Sequence, residues 1–494
     1  MLGGLALAFM AYAVLLAYFT GAYAGGSDSS GYLNNARLLR EGRVHVERRA
    51  IEGLPPEKIA KYPYLYVPLG FVPMDQHEMV PTYPIGLSLL IVGVSHLTGW
   101  GYAPHVTMWL HALAGVGLMF ALARVTGLSL CAAAMGALLL GLSPLYLFMA
   151  LQAMSDVPAL VWSAAAVLCA WLSRRHDRWA LAAGASVAMG VLIRPTNLFV
   201  LVPVAVCLGL AWRRWIWLAV GGAPGAVFLA LFNLALYGKA LTTGYGDVGS
   251  AFSRDFVPLS LISYLRWLPV VLTPGVVLVF ALPWVTAPTA RRFAVVLALW
   301  MAVYAGFYTF YYHTHETWWY LRFLLPAFPP AILAMLFAAR TIAARWPARR
   351  VAAATLLLAC ALLVWDVSWD RHFSALDAGE GEKVYPEAAH WARDHLPANT
   401  VIACMQTSGA LRYYTDFILV RYDQFIENAA LLATVERASA AAGRPIYAML
   451  FPFEIKEKNA LEGAMPGRWT QVGILREGQV TIWRRDGPPP AAAP

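Results

Sequence analysis

Long apolar runs, broken by short loops carrying arginine, recur along the first three quarters of this chain. Runs of that length cross a hydrocarbon layer of about 30 Å as helices, because a helix satisfies its own backbone polar groups. The clustering of Arg in loops on one face threads roughly eleven spans through the membrane. The first, about 2 to 20, leads to a long external loop from about 21 to 103. Spans at about 104 to 125 and 129 to 150 follow, then one at about 157 to 173 ending at Arg174-Arg175-His176-Asp177-Arg178. Two short spans flank Arg194-Pro195 and finish at Arg213-Arg214. A span at about 216 to 237 leads to a loop at about 238 to 265, and the next returns to Arg291-Arg292. The ninth ends at Tyr311-Tyr312-His313-Thr314-His315-Glu316. The tenth, about 322 to 340, reaches the basic loop Arg340 to Arg350, and the last, about 351 to 367, exits.

The apolar stretch 85 to 99 is short for a span. Counting it would invert every later loop and strand the arginines outside, so it reads as an interfacial or re-entrant helix within the first loop. At the N-terminus, Ala22-Tyr23-Ala24 has the look of a signal-peptidase site. No Lys or Arg precedes the apolar run, so a retained first helix is the reading.

The tail changes period. Residues 384 to 396 read as an amphipathic helix, Thr400 to Met405 and Ile446 to Phe451 as buried strands, and Gln471 to Ile474 with Gln479 to Arg484 as a hairpin-like pair. Helical stretches such as 425 to 441 lie between. The expectation is an α-helical polytopic membrane protein, 1 to 369, with a small extracytoplasmic α/β domain at 370 to 486 and a disordered proline-rich end at 487 to 494.

Composition agrees. Sixty per cent of residues are apolar and 13% charged, with a mean hydropathy of +0.57, far from the soluble average. The net charge of +9 resides in the loops, and no basic stripe or recognition motif points to nucleic acid. Of the five cysteines, four fall in apolar runs and Cys404 stands alone, so they read as small apolar fillers.

Acidic residues are scarce in the membrane half, which makes two of them conspicuous. Asp28 opens a helical stretch just past the first span; it reads either as an N-cap or as a general base at the membrane boundary. Asp156, in Ser155-Asp156-Val157-Pro158, reads as first-turn helix chemistry or as a second functional carboxylate on the same face. Arg322, among Trp319, Tyr320 and Phe323, is an interfacial anchor or a phosphate contact. Arg194 is a second phosphate contact or a snorkelling side chain. His313, His315 and Glu316 offer weak metal-ligand spacing. Tyr83-Pro84-Ile85-Gly86 starts the interfacial helix, and Tyr245 sits in a glycine-containing loop without the P-loop pattern.

Four segments together resemble the GT-C superfamily of polytopic glycosyltransferases, nearest the bacterial branch related to protein O-mannosyltransferases and the lipid A aminoarabinose transferase. They are Asp28-x-x-x-Tyr32-x-x-x-Ala36, Tyr83-Pro84-x-Gly86, Ser155-Asp156-x-Pro158 and Arg322-x-x-x-Pro326-Ala327-x-Pro329. The resemblance implies a polyprenyl-phosphate-linked sugar donor and inverting transfer to an envelope lipid, glycan or protein. It implies a bacterial plasma-membrane location with the C-terminal domain outside. Asp28 carries over as the base and Asp156 as a second catalytic or acceptor-binding group, while the residues themselves offer Arg322 and Arg194 as donor-phosphate contacts. Tyr32, Tyr83, Tyr245, His313, His315 and Glu316 are the expected substrate-binding residues, with a divalent metal as an optional cofactor. Many relatives have Asp-Glu where this chain has Asp28-Ser29, which argues against the protein-mannosylating subgroup. The competing class, a transporter or lipid flippase without covalent chemistry, predicts internal repeats and acids at the bilayer midplane. The sequence shows neither.

Overall fold

Proline and its neighbours decide where the apolar helices bend. In the computed structural model, which describes residues 2–285, 288–426 and 428–487, the helix Leu130–Gly141 turns by 62° into Pro144–Ala150. Proline lacks the N–H that a continuing helix needs, so it fits best in a first turn. Ser143, just before it, accepts from the Tyr146 N–H and donates to the Val271 carbonyl at 2.6 Å. Pro274 does the same at a 107° bend between Phe256–Val271 and Pro274–Trp284, with Thr273 accepting from the Gly275 N–H.

Two compact units result: Met1–Thr20, His105–Phe232 and Gly246–Ala378 form one, and Gly21–Pro104, Asn233–Tyr245 and Gly379–Pro494 the other. The first is helical. Among the described residues, five helices are long and apolar enough to cross a membrane: Ala103–Val125, Trp212–Tyr237, Arg291–Tyr308, Trp318–Ala343 and Arg349–His372. Counting each bent pair as one span raises this to seven. The remaining expected spans coincide with shorter apolar helices, Gly3–Phe19, Asp156–Leu172, Trp179–Ile193 and Pro195–Leu208.

The helix Asp156–Leu172 is the hub of this unit. It packs against Trp179–Ile193, Leu201–Leu208 and the Trp318–Ala327 segment. Fully buried Trp300, Tyr304, Phe293 and Phe337 fill the space beside it. Val220, Val227, Leu231 and Leu234 on Trp212–Tyr237 are exposed, as expected of a lipid-facing helix. On the same helix Gly221 and Leu218 meet Leu181 and Gly184 so closely that a Cβ on either glycine would overlap the opposing backbone. Small residues let membrane helices approach this way.

The second unit holds two sheets. The first loop contributes β1 (Val46–Glu47), β2 (Phe71–Pro73) and β3 (Glu78–Pro81), antiparallel in the order β1-β3-β2, with Val46 opposite Met79 and Val72 opposite Val80. None of these was legible in the sequence, since runs this short, two ending in proline, carry no period. The first loop also contains the helix Gly86–Thr98, where an interfacial helix was expected.

The C-terminal part contributes β4 (Val401–Cys404), β5 (Ile418–Arg421), β6 (Ile446–Leu450), β7 (Trp469–Leu475) and β8 (Val480–Arg485), in the order β5-β4-β6-β8-β7. β4 runs parallel to both β5 and β6, while β8 is antiparallel to β6 and to β7. The expected helix at 384 to 396 is Val384–His395, and the strands at β4, β6, β7 and β8 lie where the periodicity places them. β5 was not expected. The closing residues 487–494, apart from Gly487, lie outside the described residues.

First loop and C-terminal part share one core: Ile51, Leu54, Leu65 and Tyr66 pack with Val401, Val420, Leu431 and Leu450. The helix Ser408–Tyr414 lies on the helix Ser27–Arg40, pinned by Asn34 Nδ2 to the Gly409 carbonyl at 2.9 Å.

Candidate functional site

Asp28 stands in the first turn of Ser27–Arg40, behind a glycine N-cap, Gly26. The N-cap position falls on this glycine, which has no side chain to offer, and not on Asp28. An acceptor comes from elsewhere. Glu382 Oε2 accepts from the Gly26 N–H at 3.1 Å and from Ser29 Oγ at 2.9 Å. Ser29 is thus bonded to a carboxylate from the far end of the chain.

Tyr83 is the second neighbour. Its hydroxyl lies 2.7 Å from Ser27 Oγ and donates to the Asp28 carboxylate. Burial, followed by the Asp28 charge, holds the Tyr83 phenol well above its usual range, so it stays a donor. Tyr32 and Tyr245 complete an aromatic row, with ring centroids 5.0 and 5.9 Å from Tyr83. Gly31 is what lets Tyr83 lie on the helix, because a Cβ there would run into the Tyr83 ring. Asp28, Tyr32, Tyr83 and Tyr245 are therefore neighbours, whereas the sequence reading set Asp28 beside Asp156 and the tyrosines beside His313, His315 and Glu316.

The Glu382 carboxyl is raised from its ordinary value, chiefly by burial and further by the charge on Asp28, against the pull of the hydrogen bonds from Ser29 and Gly26. Glu382 carried no sequence signal. It sits in the undistinguished run Gly379-Glu380-Gly381-Glu382-Lys383, and its partners are more than 350 residues away. Cross-chain complementarity of this kind is invisible to a local reading.

The other candidate residues belong to the helical unit. Asp156 lies in the first turn of its helix, fully buried. Arg194 Nη2 approaches its Oδ1 at 2.7 Å and donates to Ser155 Oγ at 2.9 Å. Ser155 makes no side-chain cap; it serves the arginine instead. Arg194 ends the helix Trp179–Ile193 in an extended conformation, as the residue before a proline must, and this carries its guanidinium across to Asp156. Both Arg194 and Arg322 lie over the Phe323 ring, at 5.4 and 5.2 Å from its centroid. Arg322 also approaches Met154 Sδ at 3.8 Å. Tyr308 stacks on Phe323 and shares a 2.8 Å hydrogen bond with Thr196.

His313 stacks on Tyr320 with centroids 4.9 Å apart and pairs with Glu316 at 2.6 Å. His315 lies apart from these two, against Phe256 and Tyr312. Among the described residues no three metal-ligating side chains come together, and no step is assigned to a metal. Chemically, two guanidiniums near one aromatic ring suit an anion such as a phosphate ester. Asp156 offsets part of that positive charge and fixes the direction of Arg194.

Comparison with known proteins places the fold. Residues 99–238 match the family model described as dolichyl-phosphate-mannose-protein mannosyltransferase. Among curated proteins nothing matches the sequence. Among solved structures, the crystal structure of ArnT from Cupriavidus metallidurans bound to undecaprenyl phosphate is 15% identical. It matches with a TM-score of 0.56 over 97% of this chain and 98% of that one. ArnT from the same organism in the apo state is similar at 14% identity, with a TM-score of 0.56 and 98% coverage of both chains. The chain is a polytopic membrane protein with the fold of the GT-C glycosyltransferase superfamily, resembling ArnT and the protein O-mannosyltransferases.

Proposed function

We propose that the protein is an integral-membrane glycosyltransferase. It moves a sugar from a polyprenyl-phosphate donor to a lipid, glycan or protein acceptor outside the cytoplasm of a bacterium, with inversion. The observation that carries this reading is the convergence of Arg194 and Arg322 on Phe323, with Asp156 holding Arg194 in place. A polyprenyl phosphate is already a good leaving group. A cation at its headgroup stabilises the charge that develops as the bond breaks, and no acid is needed to protonate it. The fold supports the same reading, since ArnT, which shares it, has been crystallised with undecaprenyl phosphate.

In the reaction, an acceptor oxygen attacks the anomeric carbon on the face opposite the phosphate. The bond from that carbon to the phosphate oxygen breaks, and its electron pair leaves with the polyprenyl phosphate, a charge that a guanidinium such as that of Arg322 stabilises. The acceptor proton passes to Asp28. Tyr83 and Ser27 hold the Asp28 end of the helix, while Tyr32 and Tyr245 offer aromatic faces to a sugar ring.

The test is sugar transfer in proteoliposomes supplied with radiolabelled polyprenyl-phosphate sugars and an envelope acceptor extract. Transfer by the wild type, lost in Asp28→Asn with the melting temperature unchanged, supports the reading. Undiminished transfer by Asp28→Asn removes Asp28 as the base. Movement of lipid between leaflets with no new glycosidic bond would mark the protein as a flippase.

A further inference from the structure

A helix begins with N–H groups that have no partner inside it, and the residue ahead normally supplies one through its side chain. Gly26 has none to supply. Glu382, from the C-terminal part, instead satisfies the N–H of Gly26 itself and accepts from Ser29 Oγ in the first turn. The fit is close: a Cβ on Gly25 would overlap the Glu382 carboxylate.

Behind Glu382 runs a chain of bonds into the C-terminal sheet. Tyr385, one turn on, accepts from Gln406 Nε2 at 3.1 Å. Gln406 follows β4, and its N–H donates to Glu454 Oε1 at 3.1 Å, while Glu454 Oε2 accepts from the Phe451 N–H at 2.8 Å just after β6. A Cβ on Gly26 would lie 3.4 Å from both Gln406 Nε2 and the Tyr385 hydroxyl. The turn before Asp28 is therefore seated at the carboxyl ends of β4 and β6. Those strands are parallel neighbours in the order β5-β4-β6, so the connections from β4 and into β6 lie on opposite sides. An open α/β sheet offers a ligand its crevice at such a point; here the crevice receives the turn that carries Asp28.

We infer that Glu382 is a positioning residue for Asp28, and that the C-terminal α/β part serves the reaction by clamping the start of the Asp28 helix. The inference rests on Asp28 being the base of the proposed transferase. Its consequence is kinetic. Loosening the clamp misplaces the carboxylate without touching the donor, so kcat falls while the donor KM holds.

The experiment uses the full chain in proteoliposomes, with the polyprenyl-phosphate sugar that the wild type accepts. Glu382→Ala should lower kcat by about tenfold or more, with the donor KM within about twofold and the melting temperature within a few degrees. Glu382→Gln keeps an acceptor oxygen and should restore most of the rate. Ser29→Ala, which removes one of the two bonds, should lower kcat by about threefold. Full-rate Glu382→Ala beside an inactive Asp28→Asn overturns the inference and leaves the transferase reading standing. Equal loss in Glu382→Ala and Glu382→Gln, with melting unchanged, overturns positioning in favour of a role for the charge itself. If Glu382→Ala fails to fold, Ser29→Ala decides, and an unaltered kcat overturns the clamp. An active Asp28→Asn brings down the base assignment and the inference together.

Discussion

Asp28 and Asp156 begin alike, each in the first turn of a helix behind a serine, and end in opposite surroundings. Asp156 is fully buried and faces a guanidinium at 2.7 Å. Asp28 takes a hydrogen bond from the neutral Tyr83 hydroxyl, with the Glu382 carboxyl nearby. A carboxylate committed to an arginine at contact distance aims that arginine. One held by a neutral phenol is the better placed of the two to receive a proton. Similar local chemistry meets two different surroundings, set by what the rest of the chain brings against it.

Kinetics should separate them most sharply. Asp28→Asn is expected to reduce transfer by about 10²- to 10⁴-fold, the usual worth of a general base, with little change in melting temperature. Asp28→Asn transfer within a factor of about two of wild type would erase the distinction. Arg194→Ala should weaken donor binding and also cost stability, because it leaves Asp156 buried without its cation. The expected cost is about 3–5 kcal/mol, measured by thermal unfolding in detergent. The double change Asp156→Leu with Arg194→Met should recover most of that loss, and failure to do so would mean that the pair is not the source of the cost.

Gly31→Ala tests the Asp28 side by packing alone. The added methyl must displace Tyr83, for about 1–3 kcal/mol of destabilisation by the same unfolding measurement. It should cost activity as well, since Tyr83 is the donor to Asp28.

The smallest expected effect is on pH dependence. The Glu382 carboxyl is raised in the folded chain above an ordinary value of 4.5. The folded state therefore holds this proton more tightly than the unfolded state. That contribution to stability is complete below about pH 4.5 and is lost as pH rises through the folded value. The melting-temperature difference between Glu382→Gln and wild type should move by a few degrees in the variant's favour between pH 4.5 and 7. A constant difference would show that Glu382 titrates alike in both states.

Much of this architecture could be read along the chain. The long helices announce themselves because membrane insertion selects apolar runs residue by residue, and β4, β6 and the β7–β8 pair follow from simple periodicity. Asp28, Asp156, Arg194 and Arg322 stood out because charge is costly near a bilayer. β5, four residues at Ile418–Arg421, was lost among helical neighbours, and the strands of the first-loop sheet were too short to show a period.

Sequence alone determined that this is a many-span membrane protein with an α/β tail, and it singled out a few ionisable residues as candidates, because transfer free energy and periodicity are local properties. Only the tertiary structure decided that Arg194 pairs with Asp156 across 38 positions and that Glu382 binds the start of the Asp28 helix from the far end of the chain. An ion pair or a hydrogen bond of this kind depends on where two backbones meet, and that is set by the packing of whole elements, which no short window of residues contains.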